Sequence, residues 1–150
     1  MGKLISIVGA SGVGKTALVH ALAKNKIFQT AYEQHTERPF QALFKQDKKY
    51  ALANQMDYLL LRAEQEGDLR RNASQIGLID GGLDLDFHGF TRLFLSRNLL
   101  GQPEFVEVVL MLAVLADISS KQKLELDVSN EALDYPHSTS RILEFIAKHF

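Results

Sequence analysis

The sequence predicts an α/β fold in which a parallel β-sheet is covered by helices on both faces. Two short and almost wholly apolar segments, residues 4–8 and 75–80, are typical of parallel strands that are buried on both sides. A glycine-rich loop follows the first segment, and segments with apolar residues at helical spacing follow both. Because strands and helices alternate along the chain, we expect the sheet to lie between two layers of helices.

The first half of the chain contains the elements that surround these strands. Apolar residues at helical spacing predict a helix over residues 15–24 and a long helix over residues 48–64. Residues 29–33 are a candidate for a short second strand.

The second half of the chain is predicted to be mainly helical. Helices are expected over residues 84–100 and 138–149, and an alternating pattern predicts a strand over residues 124–128. Pro103 is well placed in the first turn of a further helix. The uniformly apolar run that follows it, residues 106–116, is compatible with that helix or with a central strand, because periodicity does not separate the two.

Composition and length exclude several classes of protein. The chain has 150 residues, so we expect a single domain over residues 1–150. The net charge of −1, with both signs interspersed, gives no electrostatic reason to expect a nucleic acid or a membrane as partner. There is no cysteine, and the histidines form no spaced pair that is typical of a metal site. With no targeting signal and no apolar run of membrane-spanning length, a soluble cytoplasmic protein is expected.

The strongest functional signal is the run Gly9-Ala10-Ser11-Gly12-Val13-Gly14-Lys15-Thr16. Its glycines let the backbone curl so that successive N–H groups point at a phosphate, and the next helix presents its positive end to the same anion. Lys15 is predicted to reach the β- and γ-phosphates, and Thr16 to supply a hydroxyl to Mg²⁺. The sequence therefore predicts a phosphate-binding loop (P-loop) for MgATP in a three-layer P-loop NTPase fold. The predicted nucleotide-binding residues are Gly9, Ser11, Gly12, Val13, Gly14, Lys15 and Thr16.

Other interpretations of the loop are a chance glycine turn and a dinucleotide-binding loop. A strand before the loop and a helix after it are the context expected of a P-loop, and a dinucleotide-binding loop gives no reason for Lys15 and Thr16. A GTPase needs a base-reading Asn-Lys-x-Asp motif, whereas the segment at residues 25–28 lacks the acid.

Three further motifs follow the loop. Tyr32-Glu33 comes a few residues before Arg38-Pro39-Phe40, the long helix carries Gln55 and Arg62 two turns apart, and Asp80 ends its strand six positions before Asp86. In this order after a P-loop, these motifs resemble those of the deoxynucleoside kinase family, which includes deoxycytidine, deoxyguanosine and deoxyadenosine kinases. The resemblance extends over residues 4–105. Members of this family are usually dimeric, so the resemblance also implies a homodimer.

The resemblance implies a role for each of these residues. Glu33 is implied as the general base on the nucleoside 5′-hydroxyl, with Lys15 as its catalytic partner on the phosphates. Asp80 looks like the first residue of the family's Asp-Arg-Ser and, with Thr16, is the expected metal ligand. The positions that match the family's base-reading and base-stacking residues are Gln55, Arg62, Asp86, Phe90 and Tyr50.

The chemistry of these side chains is also reasonable without the family. A Gln and an Arg seven residues apart lie on one helix face, and amide and guanidinium–carboxylate groups suit the edge of a base. Each residue nevertheless has a structural interpretation. Glu33 could be a solvated loop acid, Gln55 and Arg62 surface residues, Asp86 a helix cap, and Tyr50 and Phe90 core residues.

The sequence departs from the family pattern in three places. Gly81 stands where the family has the Arg of Asp-Arg-Ser, and Phe44 about where it has a Tyr that touches the sugar. The arginine-rich lid is missing, since no Arg occurs between Arg97 and Arg141. The remaining cations that could substitute are Lys121, Lys123 and Arg141.

Two functional hypotheses follow from these features. The first is a kinase that transfers the γ-phosphate of MgATP to the 5′-hydroxyl of a small-molecule (deoxy)nucleoside. The second is a kinase-like nucleotide-binding or sensor protein with little or no transferase activity.

Overall fold

A computed structural model describes residues 2–31, 37–115, 124, 126 and 135–149, with the backbone alone at residues 84 and 112–115. The strands in these residues are β1 (Leu4–Ile7), β2 (Phe28–Ala31) and β3 (Ile76–Asp80). The helices are α1 (Lys15–Ala23), α2 (Pro39–Gln46), α3 (Ala51–Arg71), α4 (Leu83–Leu85), α5 (Arg92–Ser96), α6 (Gln102–Leu115) and α7 (Pro136–His149). A 3₁₀ turn, Lys48–Tyr50, precedes α3, and a π-helix, Asp86–Thr91, joins α4 to α5.

The chain divides into two compact units. Unit 1 comprises Met1–Tyr32, Asp68–Asp80 and Ile118–Phe150. Unit 2 comprises Glu33–Gly67 and Gly81–Asp117. The expectation of a single domain is not tested by this division and stays a prediction.

Unit 1 contains a three-stranded parallel sheet in the order β1-β3-β2. Leu4 pairs with Gly77 and Phe28 with Ile76, so both outer strands run alongside the central strand β3. The buried core of this unit is formed by α1, the strands and α7. It consists of Leu18, Val19, Leu22, Phe28, Leu78, Tyr135, Ile142 and Ile146. The α/β class and the parallel sheet are therefore confirmed.

Unit 2 is helical and has its own core. Leu59 of α3, Leu83 of α4, Phe87 of the π-helix and Val108 of α6 are buried together. The backbone N–H of Leu83, at the start of α4, donates to the Glu66 carboxylate of α3 at 2.9 Å. This hydrogen bond satisfies a donor at a helix start whose preceding residue is glycine and has no side chain to cap it.

The predicted elements agree with most of the observed ones. Helices α1, α6 and α7 and strands β1, β2 and β3 lie where patterns predicted them, although α3 runs to Arg71, beyond the predicted end. The alternative of a central strand within residues 106–116 is wrong, because residues 106–115 lie in α6 and residue 116 is outside the described residues. Only Leu124 and Leu126 of the strand predicted over residues 124–128 are described, and both pack against the core of unit 1.

Two features of unit 2 were not predicted. Helix α2 begins at Pro39, and the amide N–H of Arg38 just before it donates to the Gln41 side chain at 3.3 Å. The helix predicted over residues 84–100 is a composite, because a π-helical segment interrupts it between α4 and α5. Among the helices described, none is both long and apolar enough to cross a membrane.

The two-sided character of α3 provides a direct test of the unit 2 core. Leu59 is fully buried, whereas the next residue, Leu60, is 48% exposed. We expect Leu59→Ala to lower the free energy of unfolding by about 2–5 kcal/mol, because it leaves a cavity. The matched control Leu60→Ala should change it by no more than about 0.5 kcal/mol. Urea denaturation of both variants measures the difference, and equal losses would contradict the assigned burial of α3.

Candidate functional site

The glycine-rich loop joins the end of β1 to the start of α1. Gly14, the residue before α1, has a left-handed backbone with φ of +91° and provides no side-chain cap to the helix. The first turn of α1 contains no acidic residue. The amide groups at this helix start therefore meet neither a capping side chain nor a negative charge from that turn, which suits an anion.

Gly14 is required by its surroundings as well as by its backbone angle. A Cβ atom at this position would collide with the hydroxyl of Tyr135, a buried residue just before α7. Since L side chains also disfavour this φ, any other residue would have to displace the tyrosine and strain the loop.

Lys15 is half-buried at the first position of α1, where its ammonium group donates to the Ala10 carbonyl at 2.9 Å. The lysine side chain thus folds back over its own loop. In this conformation, its charge lies beside the backbone that would surround a phosphate.

Thr16 and Asp80 come together at the carboxyl end of the central strand. The Thr16 hydroxyl donates to Asp80 Oδ2 at 2.5 Å, and Asp80 is only 2% exposed. The other carboxylate oxygen, Oδ1, is buried and has no hydrogen-bond partner among the described residues. A hydroxyl and a buried carboxylate oxygen without a partner are ligands that Mg²⁺ prefers, so these two residues fit the predicted ion.

Protein ligands for a metal are few at this position. No group of three or more His, Cys, Asp and Glu side chains that could hold a metal occurs within the described residues. Mg²⁺ usually keeps several waters and takes one or two protein ligands together with substrate phosphates. Thr16 and Asp80 match that kind of site and do not form an all-protein metal cage.

A second cluster of polar side chains is buried in unit 2. Arg62 Nε donates to Asp86 Oδ2 at 2.9 Å, and the Arg62 and Asp86 side chains are only 3% and 6% exposed. Gln55 Nε2 donates to the backbone carbonyl of Asp86 at 3.2 Å, and Thr91 Oγ1 donates to the same carbonyl at 3.2 Å. The interpretation of Gln55 and Arg62 as surface residues is therefore wrong, because both lie on the inner face of α3.

The π-helix determines where Asp86 and Phe90 lie. Both belong to the segment Asp86–Thr91, whose wider turn is typical of functional positions in helices. Phe90 is 46% exposed, so the interpretation of this residue as core is wrong and its ring is accessible to a ligand. Tyr50 is half-buried with the Lys49 ammonium 5.0 Å from its ring centroid, and Phe44 lies 5.2 Å from the Phe94 ring.

The ion pair between Arg38 and Asp57 was missed by sequence reasoning. Arg38 forms a bidentate pair with Asp57 of α3, in which Nε donates to Oδ2 at 2.8 Å and Nη2 donates to Oδ1. The hydrogen bond to Asp57 raises the pKa of Arg38 above its usual value. This pair connects the start of α2 to α3, and no local pattern could reveal it because the partners are 19 residues apart.

Some predicted residues cannot be compared with the structure. Tyr32 and Glu33, as well as Lys121 and Lys123, lie outside the described residues. Arg141 is exposed on α7 and engages in an interaction of its own.

The backbone at Gly81 explains why this position lacks the arginine of the Asp-Arg-Ser motif that the deoxynucleoside kinase family has here. Its φ is +88°, and a Cβ atom there would lie 3.0 Å from Leu85 Cδ2. An arginine at this position would need a backbone that L residues rarely adopt, so the turn after β3 is built for glycine.

Comparisons of the chain with protein-family models, with curated proteins and with solved structures give no match.

The buried pair in unit 2 provides a stability test. We expect Arg62→Met to lower the free energy of unfolding by about 3–5 kcal/mol, because the buried Asp86 carboxyl group would be left without its partner. The matched control is Arg71→Met on the same helix, where Arg71 pairs with Asp68 at the surface. That variant should change the free energy by less than about 1 kcal/mol.

A double variant, Arg62→Met with Asp86→Leu, should recover much of the loss because no uncompensated charge remains. Chemical denaturation measures all three variants. If Arg62→Met proves as mild as Arg71→Met, the pair is not buried as described.

Proposed function

We propose that this protein is an ATP-dependent (deoxy)nucleoside kinase that transfers the γ-phosphate of MgATP to a nucleoside 5′-hydroxyl. The observation that carries the proposal is the buried contact of Gln55 and Arg62 with Asp86 in a chain that also has a phosphate-loop motif. A P-loop alone is shared by motors, GTPases, transporters and kinases. A buried amide, guanidinium and carboxylate together provide the donors and acceptors that the edge of a nucleobase requires.

The proposal assigns the phosphate donor to unit 1. The loop and the start of α1 bind the triphosphate through backbone N–H groups, and Lys15 moves from the Ala10 carbonyl to the β- and γ-phosphates. Thr16 and Asp80 hold the magnesium ion, which when bound neutralises charge on the phosphates. The buried Asp80 Oδ1 supports this role because the described residues provide it with no other partner.

The nucleoside is assigned to residues of unit 2. Gln55, Arg62 and Asp86 read the edge of the base, and the exposed ring of Phe90 stacks on its face. Tyr50, where the family has a helix tryptophan, is the second aromatic residue of this group. Burial of the Arg62–Asp86 pair supports the assignment, since a pair retained only for stability is often no better than apolar residues of the same size.

The transfer step needs one proton acceptor. A bond forms between the nucleoside 5′-oxygen and the γ-phosphorus, and the bond from that phosphorus to the β–γ bridging oxygen breaks. ADP leaves with the electron pair, and Glu33 takes the hydroxyl proton. The remaining contribution of the protein is positioning and charge neutralisation, which is typical of phosphoryl transfer.

The proposal also covers the fold type of unit 1, the cellular location and the oligomeric state. The sheet of unit 1 is proposed to be the core of a three-layer P-loop NTPase fold, and packing of α1 and α7 with the strands supports this. An enzyme that consumes MgATP and a free nucleoside is expected in the cytoplasm. As in the family, a homodimer is proposed.

One observation favours the second candidate, a kinase-like nucleotide sensor with little turnover. The turn after Asp80 requires glycine at position 81, so the phosphate-binding arginine of the family has no place there. Loss of a transition-state arginine can cost about 10³–10⁵ in rate. A protein with this turn could still bind MgATP through Lys15 and Thr16.

The first experiment measures phosphoryl transfer from labelled MgATP to the four common ribonucleosides and the four common deoxynucleosides. We expect transfer to one or two of them. Lys15→Ala should lower kcat by about 10²–10³, the range for loss of one preorganised donor. The control Lys24→Ala, exposed at the other end of α1, should leave kcat unchanged.

Glu33→Gln should also abolish transfer, whereas the control Glu37→Gln, at an exposed pair with Lys45, should not. Equilibrium binding of ATP is measured in parallel. ATP binding that depends on Lys15, without transfer to any nucleoside, would overturn the kinase and favour the sensor.

A further inference from the structure

The carbonyl oxygen of a buried side-chain amide in unit 2 has no hydrogen-bond partner among the described residues. Asn54 of α3 is 4% exposed, and its carbonyl oxygen Oδ1 is buried without a hydrogen-bond partner among the described residues. A buried polar atom without a partner is costly and rare in native proteins, so it calls for an explanation.

The two other buried atoms of this kind within the described residues do not need the same explanation. Asp80 Oδ1 belongs to the proposed magnesium site, and Thr139 Oγ1 is on a residue that is only half-buried. Asn54 is more than nine-tenths buried, and the proposed kinase function gives it no role.

The position of Asn54 on α3 connects it with the base-reading residues. Asn54, Tyr58 and Arg62 follow one another at intervals of four, so they form one stripe along the helix. Gln55 is the adjacent residue, and its amide donates to the carbonyl of Asp86 at 3.2 Å. Asn54 therefore lies on the same side of the helix as Arg62, which pairs with Asp86 at 2.9 Å.

We propose that Asn54 is a specificity-determining residue whose carbonyl oxygen accepts a hydrogen bond from the bound nucleoside. This inference rests on the proposed nucleoside site. The ligand group is an N–H or O–H donor, which is either the exocyclic amino group of the base or a hydroxyl of the sugar. A site built to hydrogen-bond such a group discriminates strongly against analogues that lack it, because the buried acceptor then stays unpaired.

A purely structural role for Asn54 predicts a different set of properties. If the amide stabilised the fold, leucine at this position would lower the stability. Since the described residues provide Asn54 Oδ1 with no partner that the substitution would remove, Asn54→Leu replaces a polar group with an apolar one of similar size, which is neutral or stabilising. Function and stability should therefore change in opposite directions.

The test compares wild type, Asn54→Leu and Asn54→Asp by calorimetric titration with nucleosides, which does not depend on phosphoryl transfer. One arm varies the base amino group, with deoxyadenosine against purine deoxyriboside and deoxyguanosine against deoxyinosine. The other arm varies the sugar, with deoxyadenosine against adenosine and 2′,3′-dideoxyadenosine. Thermal unfolding of each variant gives its Tm.

We expect the wild type to prefer the nucleoside that carries the recognised donor by about tenfold, the value of one ordinary hydrogen bond. Asn54→Leu should lose that preference with an unchanged or higher Tm, whereas Asn54→Asp, which retains an acceptor, should keep it. If Asn54→Leu loses the preference in the base arm, the donor is the exocyclic amino group. If it loses the preference in the sugar arm, the donor is a sugar hydroxyl.

Two results would overturn the inference, and they are distinguishable. If wild type and Asn54→Leu show the same preferences across the panel, Asn54 does not read the nucleoside, and the proposed function survives. If Asn54→Leu instead lowers Tm and weakens all nucleosides equally, the residue is structural. Absence of nucleoside binding by the wild type would remove the proposed function itself.

Discussion

The burial of Asp80 at the carboxyl end of β3 is the constraint on which unit 1 depends. This strand is central, with β1 and β2 on its two sides, so its last residue is enclosed by the sheet and by the start of α1. A carboxylate in such a place is costly unless donors or a cation satisfy it. Thr16 satisfies one oxygen, and the other has no hydrogen-bond partner among the described residues, which is the position that the proposed magnesium ion would fill. The strand, the glycine-rich loop and the first helix turn thus converge on one charge.

Unit 2 has a comparable charge in Asp86, but it is balanced within the protein. Arg62 provides the counter-ion, and Gln55 and Thr91 hold the carbonyl of the same residue. Removing two charges from water is seldom rewarded by their mutual attraction alone. Burial of the pair is consistent with the proposed recognition role, because a fixed guanidinium and carboxylate provide donors and acceptors in known directions. Both ends of the hydrogen bond between Thr91 and Asp86 lie in the π-helix, where the Thr91 hydroxyl donates to the Asp86 carbonyl at 3.2 Å.

Local patterns in the sequence predicted what depends on local physics. The apolar strands β1 and β3, the glycine-rich loop and the helices α1 and α7 follow from periodicity and residue propensity. Pro103 in the first turn of α6 favoured a helix there, although the uniform apolar run left a strand open until the structure showed a helix. The contacts between distant residues were not accessible in the same way. The Arg38–Asp57 pair and the cap of Glu66 on α4 depend on how segments pack, which the local pattern of a single sequence does not encode. The family resemblance assigned Arg62 and Asp86 to one base-reading group, but their direct contact was seen only in the structure. The left-handed turn at Gly81 was visible as a glycine but not as a geometric requirement.

That requirement shapes what chemistry is available to the proposed enzyme. Since the turn after Asp80 excludes an arginine, charge on the transferring phosphate must be neutralised by Lys15 and the magnesium ion, or by cations elsewhere in the chain. A glycine here keeps the end of β3 free of any side chain beyond Asp80, so α4 can begin two residues later, at Leu83. The same turn therefore joins β3, which ends at the buried Asp80, to the helical segment that carries Asp86.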